Sequence, residues 1–385
     1  MMMYMAEDIE SLSSANYAEY DMKAAICKEF DAPLEIEEIT IGQPDRSEVK
    51  IRIDAVAICH SDLSFIKGYW GGPLPAIYGH EASGTVISAG HSVTNIKAGD
   101  RVIVTLMRSC GSCALCSDGA ESLCAEPPQS SDGMIARTQD GTQIWSAMNT
   151  GAFAEEVIVH QRQILPLPDD IASDVGALIG CGVITGYGAV KHVAKVKKGE
   201  SVAIVGCGGV GINAIQAARI AGASYITAID TSASKAAICR KLGATDFVQL
   251  SDNSDYLTAY SLPLGGGYDV VLVAVGSASF IAESVRLLKP GGRLVVMGMP
   301  PTGDLSEIDM TNLASYGQSI TGTKMGMALI REDIPDIINF YRKGEWVLDY
   351  LISNRFDFQD INDAIDAAER PETMRIIVQM DQKGH

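Results

Sequence analysis

Ser201-Val202-Ala203-Ile204-Val205-Gly206-Cys207-Gly208-Gly209-Val210-Gly211 passes from an apolar strand through a glycine-rich turn into a helix, and the fold class of the 385-residue chain hangs on it. Gly206, Gly208, Gly209 and Gly211 permit a tight turn, let backbone approach a pyrophosphate, and bring the helix close to the strand. The helix N-terminus favours the anion. A bare G-x-G-x-x-G is weak evidence, and a glycine-rich turn without a ligand is the alternative reading. The context is what strengthens it. The next apolar run, 225–229, ends at Asp230, 19 residues beyond Gly211. A carboxylate there would bond ribose hydroxyls and repel a 2′-phosphate, so the expected cofactor is NAD rather than NADP. Cys207 reads as a small residue that fits the turn.

Working outward, strands and helices alternate: strand 201–205, helix 209–221, strand 225–229, helix 233–242, strand 245–249, strand 269–274, helix 280–288 and strand 293–298. That rhythm predicts parallel βαβ units in a doubly wound α/β sheet. From 23 to about 165 the pattern is different. Short β-like runs (48–57, 82–88, 101–106, 155–159) broken by Gly and Pro predict an antiparallel, loop-rich β domain. Beyond 322 come a helix at 330–341, a strand-like 351–354, a helix at 361–368 and a strand at 375–380. The expected organisation is an acidic extension at 1–21, a catalytic domain built from 22–182 and 322–385, and a dinucleotide-binding domain at 183–321.

Composition excludes some functions. With 47% hydrophobic and 20% charged residues the chain has a globular profile. No apolar run in the sequence reads as approaching the ~18 residues of a membrane helix, so no membrane partner is expected. Lys plus Arg number 30 against 48 Asp plus Glu, a net charge of -18. Nucleic acid is an unexpected partner because phosphate binding needs clustered basic side chains. The acidity is uneven: 183–321 carries 11 basic and 10 acidic residues, leaving the excess to the rest of the chain. Residues 1–21 hold five acidic and no basic residues, unlike the basic start of a signal peptide. A reducing cytoplasm is therefore the expected setting, where spaced cysteines bind metal or do chemistry rather than pair.

Of nine cysteines, four fall in Cys110-x2-Cys113-x2-Cys116-x7-Cys124. Four thiolates this close can surround one ion tetrahedrally and leave no open position, which describes a structural zinc; a redox pair is the alternative. Three further residues carry metal-ligand chemistry: Cys59 in Cys59-His60-Ser61-Asp62, His80 in Gly79-His80-Glu81, and Cys181 in Gly180-Cys181-Gly182. Two Cys and one His would make a three-ligand zinc site with an open fourth position. Spacings of 21 and 101 residues give no local geometry, and each residue taken singly reads equally well as core. Cys27 and Cys239 read as core.

These segments, in this order, resemble the zinc-dependent medium-chain alcohol dehydrogenases from about Lys23 to Met380, with Thr185-Gly186-Tyr187-Gly188 following the third ligand segment. The resemblance implies a Rossmann domain plus a GroES-like antiparallel β catalytic domain. It implies two Zn2+ per chain: catalytic zinc on Cys59, His80 and Cys181 with Glu81 close behind, and structural zinc on the four-cysteine lobe. Asp62 would orient His80, whose free ring nitrogen needs an acceptor. His60 and Arg375 match pyrophosphate contacts, Asp230 and Lys235 adenosine-ribose contacts, and Thr185 and Val210 the positions behind the nicotinamide. Read without it, His60 is a loop residue, Glu81 a salt-bridge partner, Asp62 a turn residue and Arg375 a surface charge.

The implied reaction is reversible oxidation of an alcohol by hydride transfer to NAD, with Ser61 taking the alcohol proton toward the nicotinamide ribose. Many members end this relay at a histidine five residues after the zinc cysteine; here that position is Ser64. A serine passes a proton but cannot hold one near pH 7. Trp70, Leu106, Met148 and Met299 match pocket positions, and their apolar bulk favours an uncharged primary alcohol. The alternatives are an S-(hydroxymethyl)glutathione or formaldehyde-type dehydrogenase, a dismutase that retains its cofactor, and, in another class, a non-catalytic dinucleotide-binding sensor or structural protein. By resemblance to the liver-type and glutathione-dependent formaldehyde branches, the long 125–150 stretch implies a homodimer, with a tetramer as the alternative.

Overall fold

The computed structural model describes residues 22–131, 136–250 and 266–380; the acidic segment 1–21 lies outside them. Among the described residues the strand Glu48–Ile58 is buried along nearly its whole length, with Arg52 its one exposed residue, so it must be covered on both faces and paired along both edges. It is. Glu81–Ala89 pairs with it on one side, and Glu156–His160 and Arg375–Gln379 divide the other. With Arg101–Val104, Ile164–Pro166 and Ile352–Asp357 these make a seven-stranded sheet. A closed barrel of Met22–Cys27, Glu35–Thr40, Ala136–Thr138, Gln143–Ser146 and Ala76–Ile77 stands beside it. The antiparallel expectation has two exceptions: Ile352–Asp357 runs parallel to Arg375–Gln379, and Ala76–Ile77 parallel to Gln143–Ser146.

The second sheet is six-stranded and wholly parallel, in the order Asp246–Gln249, Tyr225–Asp230, Ser201–Val205, Tyr268–Val273, Leu288–Val296, Ser319–Gly322. In chain order that is 3-2-1-4-5-6, the Rossmann arrangement, whose switch point lies between Ser201–Val205 and Tyr268–Val273. All five residues of Ser201–Val205 are buried, as a strand with helices on both faces requires. The glycine turn leaves this strand at the switch point, where such sheets bind ligands.

One element escapes a reading by periodicity. Residues Ser173–Ala194 form a continuous 22-residue helix that is long and apolar enough, by length and composition, to cross a membrane. The expectation that no apolar run approaches that length therefore needs correcting. The helix is nevertheless buried inside the fold, and it runs straight through the divide expected at 182/183. Its glycines conceal it in the sequence, since glycine weakens a helix, yet packing demands them. A Cβ at Gly180 would meet the Val104 carbonyl oxygen at 2.6 Å, and one at Gly186 that of Val210 at 2.6 Å. The helix widens into π geometry at Ile179–Val183 and again at Ala189–Ala194. Such turns concentrate at functional sites, and the first carries Cys181.

Candidate active site

Asp62 organises the site. It is fully buried on the first turn of the helix His60–Ile66, for which Cys59 is the N-cap. One carboxylate oxygen accepts the Cys59 N–H at 3.0 Å; the other accepts the Gly79 N–H at 2.9 Å and lies 3.0 Å from His80 Nδ1. Two segments 21 residues apart are thus tied together by one side chain. With Nδ1–H donated to Asp62, the neutral form of His80 presents the lone pair of Nε2, an atom buried without a hydrogen-bond partner. Burying such an atom unpaired is costly. Cys59, His80, Glu81 and Cys181 each place one ligand atom within 4.8 Å of the others, all four residues buried. Two thiols and one imidazole with its unpaired nitrogen fit a zinc ion with a position to spare.

The groups of this cluster also shift one another's protonation. The Cys181 thiol donates toward Cys59, holding the Cys59 pKa well below the thiol range and its own well above, so the pair favours one thiolate and one thiol. Burial alone would depress His80, but the charge and hydrogen bond of Asp62 override it and raise the imidazole pKa well above its usual range. Burial pushes the Glu81 carboxyl up to about 7, against the pull of Arg375. Arg375 is itself buried, ion-paired to Glu81 through Nη2, with its Nε left unpaired.

Arg375 also reaches beneath the glycine turn, because its Nη1 lies where a side chain at Gly209 or Gly182 would stand. At Gly211 a Cβ would strike the Gly206 carbonyl oxygen, so helix Gly211–Ile220 can approach the strand only with glycine there. Gly208 has nothing within 4 Å of its would-be Cβ and leaves open space over the turn. Asp230 closes the far side: it accepts the Cys207 N–H at 2.7 Å and the Ser232 N–H at 2.9 Å, and Lys235 Nζ lies 3.3 Å away. His60 is exposed at the start of its helix; desolvation, ahead of the charges of Arg375 and Lys235, holds its pKa below the imidazole range. The open cradle and its cationic rim suit a dinucleotide pyrophosphate.

The four-cysteine lobe forms a second cluster, its ligand atoms within 4.8 Å of one another. Cys110 Sγ and Cys116 Sγ are 3.9 Å apart, as are those of Cys113 and Cys124. Tetrahedral zinc with Zn–S near 2.3 Å spaces its sulfurs by about 3.8 Å. Backbone N–H groups of Ser112 and Cys113 bring Cys110 down to about 6, and desolvation pushes Cys116 up to about 12.

Comparison with known proteins now decides the family. Residues 45–169 match the alcohol dehydrogenase GroES-like domain, and 209–343 the zinc-binding dehydrogenase domain. The chain is similar to a probable S-(hydroxymethyl)glutathione dehydrogenase 1 of Schizosaccharomyces pombe, 32% identical over 94% of this chain and 97% of the relative. It is likewise similar to alcohol dehydrogenase 2 of rice (Oryza sativa), at 31% over 94% and 97%. The chain belongs to the zinc-dependent medium-chain alcohol dehydrogenases. Among solved structures, an alcohol dehydrogenase zinc-binding domain protein from Burkholderia ambifaria superposes with TM-score 0.88 at 30% identity, covering 94% of this chain and all of that one. A benzyl alcohol dehydrogenase from Acinetobacter calcoaceticus gives 0.86 at 28%, with the same coverage.

In this dehydrogenase the remaining sequence candidates scatter more. Ser61 is half-buried on the first turn after Cys59, Val210 caps the helix behind the glycine turn, and Thr185 is buried one turn beyond Cys181. Trp70 is held by its indole N–H to the Pro300 carbonyl at 3.0 Å and packs edge-on against Phe65, with ring centroids 5.0 Å apart. Leu106 packs against the large core and Met148 against the barrel core, while Met299 is 59% exposed. Two features were not foreseen: the pairing of Arg375 with Glu81, 294 residues apart, and Met325, whose Sδ lies 3.6 Å from Cys181 Sγ. Neither leaves a local signal in the sequence.

Proposed function

We propose that the enzyme reversibly oxidises a small, uncharged primary alcohol to its aldehyde with NAD, using one catalytic and one structural zinc. The observation that carries the proposal is the buried, unpaired His80 Nε2 facing Cys59 and Cys181 beside an open glycine cradle. When bound there, zinc supplies a Lewis acid that lowers the pKa of a substrate hydroxyl. Cys59, His80 and Cys181 would hold it, with Asp62 keeping His80 in the ligating tautomer. Glu81, paired with Arg375, would stand close behind the metal. The glycine turn, His60 and Arg375 would hold the pyrophosphate, Thr185 and Val210 would back the nicotinamide, and Ser61 would take the alcohol proton. Ser64 can hand that proton on but cannot store it. The Asp230 carboxylate, already accepting two backbone N–H groups, supports NAD over NADP because it repels a 2′-phosphate.

The uncharged side chains Trp70, Leu106, Met148 and Met299, placed in the pocket by the family resemblance alone, favour a neutral substrate over an anionic glutathione adduct. Two supporting observations bear on setting and assembly. All nine cysteines are free of disulfides, which suits a reducing, cytoplasmic compartment. The edge strand Ser319–Gly322 follows a segment with exposed Leu305 and Met310, which suits a homodimer. A panel of neutral and anionic alcohols, followed by NADH absorbance with NAD or NADP and joined to a zinc count, tests the whole reading. Two zinc ions and turnover of neutral primary alcohols with NAD are expected. One zinc without turnover would indicate a non-catalytic dinucleotide-binding protein, and formaldehyde oxidation only with glutathione would indicate the adduct enzyme.

A further inference from the structure

Between the last strand of the Rossmann sheet and the helix Ile330–Arg342, three successive residues take left-handed backbone: Met325 (φ 53°), Gly326 (φ 65°) and Met327 (φ 51°). Only the middle one is a glycine. Two methionines in this region persist only where their surroundings hold them, and such strain gathers at functional sites. The surroundings here are specific. Met325 is buried, with its Sδ 3.6 Å from Cys181 Sγ and 3.8 Å from Thr185 Oγ1. Gly326 is wedged against the helix Ser173–Ala194: a Cβ on it would strike the Thr185 carbonyl oxygen, and one on Gly188 would meet the Gly326 carbonyl oxygen at 2.5 Å. Met327 points the other way, its Sδ accepting the hydroxyl of Ser122 at 3.3 Å. Ser122 is buried in the four-cysteine lobe, two residues before Cys124.

The far end of the turn is anchored to the same long helix. Asp333, fully buried, accepts the Leu329 N–H at 2.8 Å, Lys191 Nζ at 2.9 Å and His192 Nε2 at 2.8 Å. A turn locked at one end, strained along its length and touching a proposed ligand of each metal cluster or its neighbour is a rigid spacer.

We propose that the four-cysteine lobe positions Cys181 and Thr185 through the Met325-Gly326-Met327 turn, so that Met325 and Met327 are positioning residues for the metal and nicotinamide end of the site. This rests on the reading of Cys59, His80 and Cys181 as a metal site. Loss of the Met327 side chain then frees the turn to relax away from the helix, and Cys181 and Thr185 lose a fixed neighbour.

The test compares Met327→Ala, Met327→Leu and Ser122→Ala with the parent protein, zinc kept in the lobe and cobalt(II) placed at the catalytic ligands. Met327→Ala is expected to shift the cobalt absorption bands and weaken NADH binding three- to tenfold while the lobe keeps its zinc; Met327→Leu, which refills the space but not the acceptor of the Ser122 hydroxyl, restores both most of the way. Ser122→Ala, which removes only a hydroxyl, gives the same changes on a smaller scale and serves if Met327→Ala does not fold. Amide hydrogen exchange over residues 180–185 in metal-free protein gives a second readout, expected to quicken in Met327→Ala. Unchanged cobalt bands, NADH affinity and exchange, with a lowered melting temperature alone, would overturn the proposal. Parent protein that takes up no cobalt at Cys59, His80 and Cys181 would sink the metal-site reading instead, leaving the exchange comparison to decide the role of the turn.

Discussion

The two cysteine clusters make a natural pair for comparison. In the lobe, all four candidate ligands lie within 15 residues, the chain between them is short loop and single helical turns, and three of the four cysteines are half-exposed. At the catalytic cluster the ligands span Cys59 to Cys181, every one is buried, and each sits on a different element: a helix N-cap, a strand edge and a π turn. The lobe is a local solution, its ligand atoms brought together by a short stretch of chain. The catalytic cluster is a global one, assembled from elements distant in sequence. The first needs only spacing; the second needs the whole fold.

The sharpest way to break this comparison is to remove one ligand from each cluster. Cys181→Ser is expected to lower kcat/KM by about a thousandfold, since Lewis-acid stabilisation worth several kcal/mol is lost at about 1.4 kcal/mol per decade, while the melting temperature changes little. Cys124→Ser is expected to do the reverse, dropping one zinc per chain and lowering the melting temperature with a smaller effect on the kcat of protein that remains folded. Equal effects on both readouts in both variants would show that the clusters are not separate in kind. Next in size is Asp62→Ala, which removes the acceptor for His80 Nδ1 and the tie between the two ligand segments. Loss of such a partner typically costs 10–100-fold in metal affinity, measurable by competition with a chelator.

A smaller effect concerns the anchor of the long helix. Burial raises the Asp333 pKa, but hydrogen bonds from His192 and Lys191 outweigh it and leave the carboxyl below its ordinary value. A depressed carboxylate contributes stability above its unfolded pKa of about 4, and loses it as pH falls through the folded value. Asp333→Asn should therefore flatten the fall in melting temperature below pH 4, where the parent protein loses that contribution. The smallest expected change is at the relay. Ser64→His should introduce a pKa near that of free imidazole, about 6.5, into the pH profile of hydride transfer, where the parent shows none from residue 64. A profile unmoved by Ser64→His, with severe loss in Ser64→Ala, would place the end of the relay elsewhere.

Much of this was legible in the residues because the signals are local. A glycine turn announces itself through steric need, a strand through burial, and a four-cysteine lobe through spacing; Ser201–Val205 has the expected bounds, and the six-stranded sheet follows from the alternation around it. The helix Ser173–Ala194 was illegible for the opposite reason. Its glycines weaken the helical signal, whereas they answer to carbonyls of Val104 and Val210 elsewhere in the chain.

From residue order alone, then, came the two-domain α/β class, the cofactor turn and the lobe, since each rests on contacts within a few turns of chain. The orientation of His80 by Asp62, the union of Cys59, His80 and Cys181, the pairing of Glu81 with Arg375 and the seat of Met325 came only with the folded molecule. Those contacts join residues from 18 to 294 positions apart. No short window of sequence carries such distances; packing creates them.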